Sequence, residues 1–251
     1  MAKYFIYNNA GFSGATVTDG TVSGTTFSSS GSVTNEDRVN DMSISTAFTS
    51  FGANDALRFD VFSANASINA DRISLYFTSA HGHDMKVYSG SSATAMGTAL
   101  VNKTDNWVVG WNELSFSATS GQYKFIHSTT GTIDDITEVI FGVKLSLTNA
   151  DLNGTEGINY GNDMIISDGG EQYSNQRHGG KRFWNFDLRY CSSAYKTSLE
   201  TMRDSVKGAH YKFLYYDGSA YYYVKMSDDS LRFKEISYGV YDTSIKLTEV
   251  F

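Results

Sequence analysis

Val139, Phe141, Val143, Leu145 and Leu147 recur with a period of two over nine residues. Successive side chains of an extended chain point to opposite faces, so this spacing puts all five on one face of a β-strand. A helix, with its period of 3.6, would scatter them around its circumference. The same rhythm returns in shorter pieces: Leu57, Phe59 and Val61; Ile73, Leu75 and Phe77; Met85 and Val87; Leu114 and Phe116; Tyr123 and Phe125. Between them lie Ser63-Ala64-Asn65, Ser89-Gly90-Ser91-Ser92, Thr119-Ser120-Gly121 and Thr129-Thr130-Gly131, which carry turn chemistry. Short strands at this spacing predict an antiparallel β-sandwich of jelly-roll type. Gly11 to Thr34, rich in Ser, Thr and Gly, reads as a surface excursion or as weak edge strands.

The turns must be made without proline, because the 251 residues contain none. That removes proline-rich linkers and also removes proline as a guard on edge strands. Unguarded edges suit a subunit that pairs with neighbours. One cysteine excludes an intramolecular disulfide, and no apolar run has the length of a membrane-spanning helix. The start, Met1 to Asn9, lacks the pattern of a secretory signal, so synthesis in a host cytoplasm without a signal peptide is expected. The net charge of −7 gives no reason to expect nucleic-acid binding.

Charge and tyrosine divide the chain unevenly. Residues 1–171 carry 8 basic and 18 acidic side chains, residues 172–251 carry 12 and 9, and the latter hold 11 of the 17 tyrosines. Two folding units are therefore expected, a sandwich over 1–167 and a smaller module over 168–251. The Gly- and Asn-rich stretch 149–181 between them reads as a linker or functional loop, interrupted by Met164-Ile165-Ile166. The first strand, Tyr4 to Tyr7, is expected to pair with the C-terminal sheet.

The second unit reads in detail. Arg182 to Tyr190 is a strand with Trp184, Phe186 and Leu188 on one face. Ser192 or Ser193 can cap a helix over about 193–207, whose stripe is Tyr195, Leu199, Met202 and Val206, and Gly208 stands where the helix should stop. Asp217-Gly218 joins two aromatic strands, and Leu231 to Ile236 and Val240 to Val250 add two more. One helix laid on a small antiparallel sheet buries both apolar faces.

This unit resembles the C-terminal domain of tail proteins of long-tailed bacteriophages. The likeness is carried by Gly179 to Phe186, by Ser192 to Glu200 with the helix end Lys207-Gly208, by Tyr223 to Met226 with Asp229 to Leu231, and by Tyr241 to Val250. It covers about 75 residues and implies a tail-tube-like or distal-tail module that assembles into rings. The first unit resembles the discoidin or carbohydrate-binding class of sandwich through Asp41 to Ser50, with Phe48 where tryptophan is usual, and through Gly110 to Leu114. Together these resemblances imply a structural component of a phage virion. Its expected partners are further copies of itself, other tail proteins and host-surface polysaccharide, without membrane insertion. The alternative is a stand-alone carbohydrate-binding protein with no virion role.

Catalytic signals are weak, and an enzyme is not expected. His81-Gly82-His83-Asp84 is the one run of metal-ligating residue types, but no further ligands stand at recognisable spacing, so it reads as an exposed polar loop. Asp134-Asp135 with Glu138 reads as a solvated turn rather than a calcium site. Cys191 reads as a structural thiol, and no nucleophile elbow, phosphate loop or dinucleotide fingerprint is present. No cofactor or metal is expected. Trp107 is the candidate glycan contact, because a planar ring can cover the apolar face of a pyranose, while Trp111 reads as core. Arg182 and the run Tyr221-Tyr222-Tyr223 form the candidate assembly interface, since such a run should expose a ring on the outer face of its strand.

Overall fold

The computed structural model describes residues 2–7, 16–29, 33, 43–45, 47, 51–60, 69–104, 106–119, 123–133, 135–148, 154–168, 170–176 and 179–250. Phe48, Asp134 and most of the Asp41–Ser50 fragment lie outside these residues. The fold is mainly β with antiparallel sheets and one described helix, as the period-two pattern predicts. Contacts divide the chain into one unit of Ile6–Lys144 and another of Met1–Phe5 with Leu145–Phe251. The division falls earlier than the expected boundary after residue 167.

The strands before the division are β1 (Tyr4–Tyr7), β2 (Val17–Ser23), β3 (Thr26–Ser28), β4 (Asp55–Phe59), β5 (Ala70–Phe77), β6 (Met85–Gly90), β7 (Ala99–Lys103), β8 (Gly110–Thr119), β9 (Tyr123–Ser128) and β10 (Ile136–Ser146), β1 and β10 ending across it. One sheet of the first unit runs β3-β2-β4-β9-β6-β7, and β5 is flanked by β10 and β8 in the other. The pairings of β2 with β3 and β4, β4 with β9, β6 with β7 and β9, and β5 with β8 and β10 are all antiparallel. The core lies between the sheets: Leu57, Phe59, Met85, Val87 and Ile126 meet Ile73, Leu75, Phe77, Val139 and Phe141. All but Ile126 are the alternating residues of the sequence, buried because one face of each strand has no other refuge from water. On β9 it is Ile126 that enters this core, while Phe125 faces the other way. The Gly11–Thr34 stretch contributes β2 and β3, and Phe27 of β3 closes a second cluster with Ala56, Tyr88, Met96 and Phe125.

The second unit continues with β11 (Thr155–Asn159), β12 (Asn162–Ile166), β13 (Gln172–Gln176), β14 (Lys181–Ser192), α1 (Ser193–Val206), β15 (Phe213–Tyr216), β16 (Tyr221–Met226), β17 (Lys234–Ser237) and β18 (Val240–Glu249). Its sheet runs β11-β14-β18-β16-β15, with β17 also on β18 and β1 beside β15. Phe5 packs its ring against Phe186, Phe213 and Tyr215, and Tyr4 packs against Tyr216 and Tyr221. Stretch 149–181 is therefore more than a linker. Its β11 pairs with β14 over five residues, while β12 and β13 form a separate hairpin.

The helix follows its sequence signals closely. The Ser192 side chain accepts a hydrogen bond from the Tyr195 N–H, and Leu199, Met202 and Val206 are its buried residues. Lys207 takes the left-handed conformation, and Gly208 follows at φ +62°. Two successive left-handed residues end the helix, and Gly208 then lies so close to the Asp229 backbone that a Cβ would collide there.

Candidate functional site

The loops at the end of the first unit where β5 leads into β6 and β7 into β8 bring together the residues best suited to bind a ligand. Trp107 anchors them. Only 2% exposed, it belongs to the core cluster and packs on Phe77 with ring centres 5.0 Å apart. Its N–H is accepted by His81 O, its indole Nε1–H by His83 O at 2.7 Å, and the Lys103 ammonium lies 5.1 Å from the ring centre. A ring so enclosed has no face left for a sugar, which corrects the expectation for Trp107. Its role is to hold the 81–83 and 106–109 segments side by side.

What reaches the surface is built on that anchor. The His81 imidazole stacks on Trp107 at 5.8 Å and His83 stacks on His81 at 5.6 Å. Both histidines are half-buried, so the expected exposed polar loop is an ordered stack. His83 packs over Gly131, where φ is +70° and a Cβ would collide with the imidazole. His81 Nδ1 accepts the His83 backbone N–H, which leaves the proton on Nε2. That Nε2 is buried without a hydrogen-bond partner among the described residues. Burial holds His81 below its ordinary pKa, His83 adding to the depression and Asp135 opposing it, so the ring is neutral at pH 7.

Beside the stack, Asn112 pins the 108–110 turn. Its side-chain amide donates to Val108 O and Gly110 O, and its Oδ1 accepts the Val108 N–H. The fixed turn displays Val108 and Val109 at 57% and 60% exposure, an apolar shoulder next to the Trp107 anchor. Asp84 N–H is accepted by the Thr130 hydroxyl, and Thr129 donates to Asp84 O, which ties the β9–β10 loop to the same place. Asp135 accepts from both the N–H and the hydroxyl of Ser79. Asp135 and Glu138 are buried, so the solvated-turn reading of this segment is corrected. Among the described residues no group of three or more His, Cys, Asp or Glu could hold a metal ion.

The remaining candidates have other roles. Trp111 is half-buried and makes an edge-on contact of 5.3 Å with Tyr76, its cross-strand partner. Tyr221 shares a hydrogen bond between hydroxyls with Tyr4, Tyr222 packs on Trp184 and Tyr215, and Tyr223 is buried. The expected outward ring is thus absorbed by aromatic packing within the unit. Arg182 is exposed, but its guanidinium covers the Tyr222 ring at 5.2 Å and its N–H is accepted by Glu249. Cys191 is buried, and burial raises its thiol pKa, as suits a structural cysteine. Elsewhere on the second unit two polar cavities of about 570 and 340 Å³ share Arg232 and Ser244. No helix among the described residues is long and apolar enough to cross a membrane.

No protein-family model and no curated protein matches the chain. Its structural neighbours include carbohydrate-binding modules and glycoside hydrolases, all at low identity. Chitosan-binding module 1 from a chitosanase/glucanase of Paenibacillus sp. IK-5 is 18% identical, with a TM-score of 0.39 over 53% of this chain and 97% of its own. The CBM32 of AlyQ in complex with 4,5-unsaturated mannuronic acid is 20% identical, with a TM-score of 0.36 over 49% of this chain and 91% of its own. The Ruminococcus gnavus GH29 fucosidase E1_10125 in complex with fucose is 15% identical, with a TM-score of 0.40 over 55% of this chain but only 27% of its own. None of these findings supports the phage-tail resemblance.

The histidines were visible in the sequence as a pair, yet nothing there distinguished them from a solvated loop. Their stacking depends on Trp107, 24 residues beyond His83, and their packing on Gly131, both brought in by strand pairing. Exposed Val108-Val109 following a tryptophan is the one signal that could have pointed to this loop.

Proposed function

We propose that residues 6–144 form a carbohydrate-binding sandwich, and that the loop end around His83 holds the sugar. The observation that carries the reading is the His83–His81–Trp107 stack with the Val108-Val109 shoulder beside it. A half-buried imidazole and two fixed aliphatic side chains suit the apolar C–H face of a pyranose. The Thr130 hydroxyl and Asp84 carboxylate, on the neighbouring backbone, suit its hydroxyls. On this reading the site binds without transforming its ligand, and Asp135, held by the N–H and hydroxyl of Ser79, has a structural role. A glycan array of the full chain, followed by calorimetry on the best ligand, tests the proposal. His83→Ala and Val109→Ser should each weaken binding about tenfold while leaving melting within a few degrees, as suits partly exposed contact residues. No bound glycan, or affinity indifferent to both substitutions, refutes it.

A tail-assembly role for residues 168–251 is the second reading. Its support is the sequence likeness carried by Gly179 to Phe186 and Ser192 to Glu200. Absence of the protein from purified virions, probed with an antibody against this chain, would end it.

A further inference from the structure

Among the described residues, no strand covers the outer edge of the second unit's sheet. β11 is the terminal strand, bonded to β14 through five regular pairs from Thr155↔Asn185 to Asn159↔Lys181, with no bulge. Thr155, Glu156, Ile158 and Asn159 are exposed. Edge strands left like this present a row of backbone donors and acceptors, and proteins normally blunt them with lysine, proline or a bulge. β11 has none of the three.

Beside the charged Glu156 and Arg182, the edge carries an exposed apolar set. Ile158 and Tyr160 are each 50% exposed and pack over Gly180, where a Cβ would lie 2.6 Å from Ile158 and 2.8 Å from Tyr160. The Phe183 ring, 39% exposed, lies across Gly157, where a Cβ would come within 2.7 Å of it. The absence of a side chain at Gly157 is what lets an aromatic ring reach almost to the edge.

We propose that this edge pairs with the same edge of a second copy of the chain, antiparallel about a two-fold axis at Gly157. The sequence Thr-Glu-Gly-Ile-Asn is complementary to itself in that register. Gly157 faces Gly157, Glu156 of each copy faces Ile158 of the other, and Thr155 faces Asn159. No like charges stand opposite each other, and the stem of Glu156 covers Ile158. The two Phe183 rings, each over its own Gly157, are brought together across strands about 5 Å apart and close an apolar strip over the junction. A two-fold contact of this kind is isologous and closes on itself, unlike the head-to-tail contacts that build rings. Five residues per copy make a small interface, so the dimer is a weak one.

The test is independent of the sugar site. Sedimentation equilibrium of the full chain across a micromolar-to-millimolar series should show a monomer–dimer equilibrium. Hydrogen exchange at residues 155–159 should slow as concentration rises. Ile158→Glu sets a carboxylate opposite Glu156 twice per dimer and should weaken association roughly tenfold. Combining it with Glu156→Lys turns both repulsions into ion pairs and should restore the dimer. Both positions are exposed, so melting should not change. A strict monomer, a larger ring, a dimer indifferent to Ile158→Glu, or failure of the double variant to recover would each overturn the proposal.

Discussion

His127 gives the sharpest quantitative test of the packing in the first unit. It lies in β9 opposite Ala56 of β4 and Lys86 of β6, 6% exposed, and neither ring nitrogen has a hydrogen-bond partner among the described residues. Burial, with the Lys86 charge adding to it, lowers its pKa from 6.5 to about 4. Above pH 7 the ring is neutral in both folded and unfolded chains and contributes no pH dependence. As pH falls below 6.5 the unfolded chain takes up a proton that the folded one refuses, so stability drops until about pH 4 and then levels. The full loss is about 3 kcal/mol, of which about 2 kcal/mol is reached by pH 5. His127→Leu removes both the titration and two unsatisfied buried nitrogens. It should stabilise the protein by about 1–2 kcal/mol at pH 7, and by about 2 kcal/mol more at pH 5. Urea unfolding at both pH values measures the difference, and a carbon-detected NMR titration reads the imidazole directly. A His127 pKa near 6.5, or the same loss between pH 7 and 5 in wild type and His127→Leu, would refute the reasoning.

Lys124 offers the alkaline counterpart. Fully buried, with its ammonium donating to Ser89 Oγ at 2.8 Å, it has its pKa lowered by burial to about 8. Wild-type stability should therefore rise as pH climbs from about 8 towards 10.5, whereas Lys124→Met should lack that rise and be more stable at pH 7, as denaturant curves at pH 7 and 10 will show. Ser192→Ala deletes the helix cap and should cost about 1 kcal/mol, read as a lower urea midpoint with an unchanged slope. Trp107→Ala should cost about 3–5 kcal/mol and lose structure before it loses binding selectively. A Trp107→Ala variant with native melting but no glycan affinity would contradict the anchoring role.

Much of the fold was legible because its signals are local. The alternation at Ile73, Leu75 and Phe77 needs only the pleat of one strand, and Ser192, Leu199, Met202 and Val206 need only the geometry of one helix. The candidate site was less legible, because a tryptophan, a histidine pair and a glycine separated by up to 50 positions become neighbours only through strand order.

By itself, the sequence determined that the chain is built of short antiparallel strands with one helix, that disulfides contribute nothing, and that no proline protects an edge. Side-chain periodicity and residue chemistry decide these without reference to distant partners. Tertiary structure alone decided that Trp107 faces inward, that Tyr221, Tyr222 and Tyr223 are taken up by internal aromatic contacts, and that β11 stands at the end of its sheet. The physical reason is that alternation assigns a residue to one of two faces of its strand. Which face is covered, and which strand is left with an unpaired edge, depends on long-range pairing.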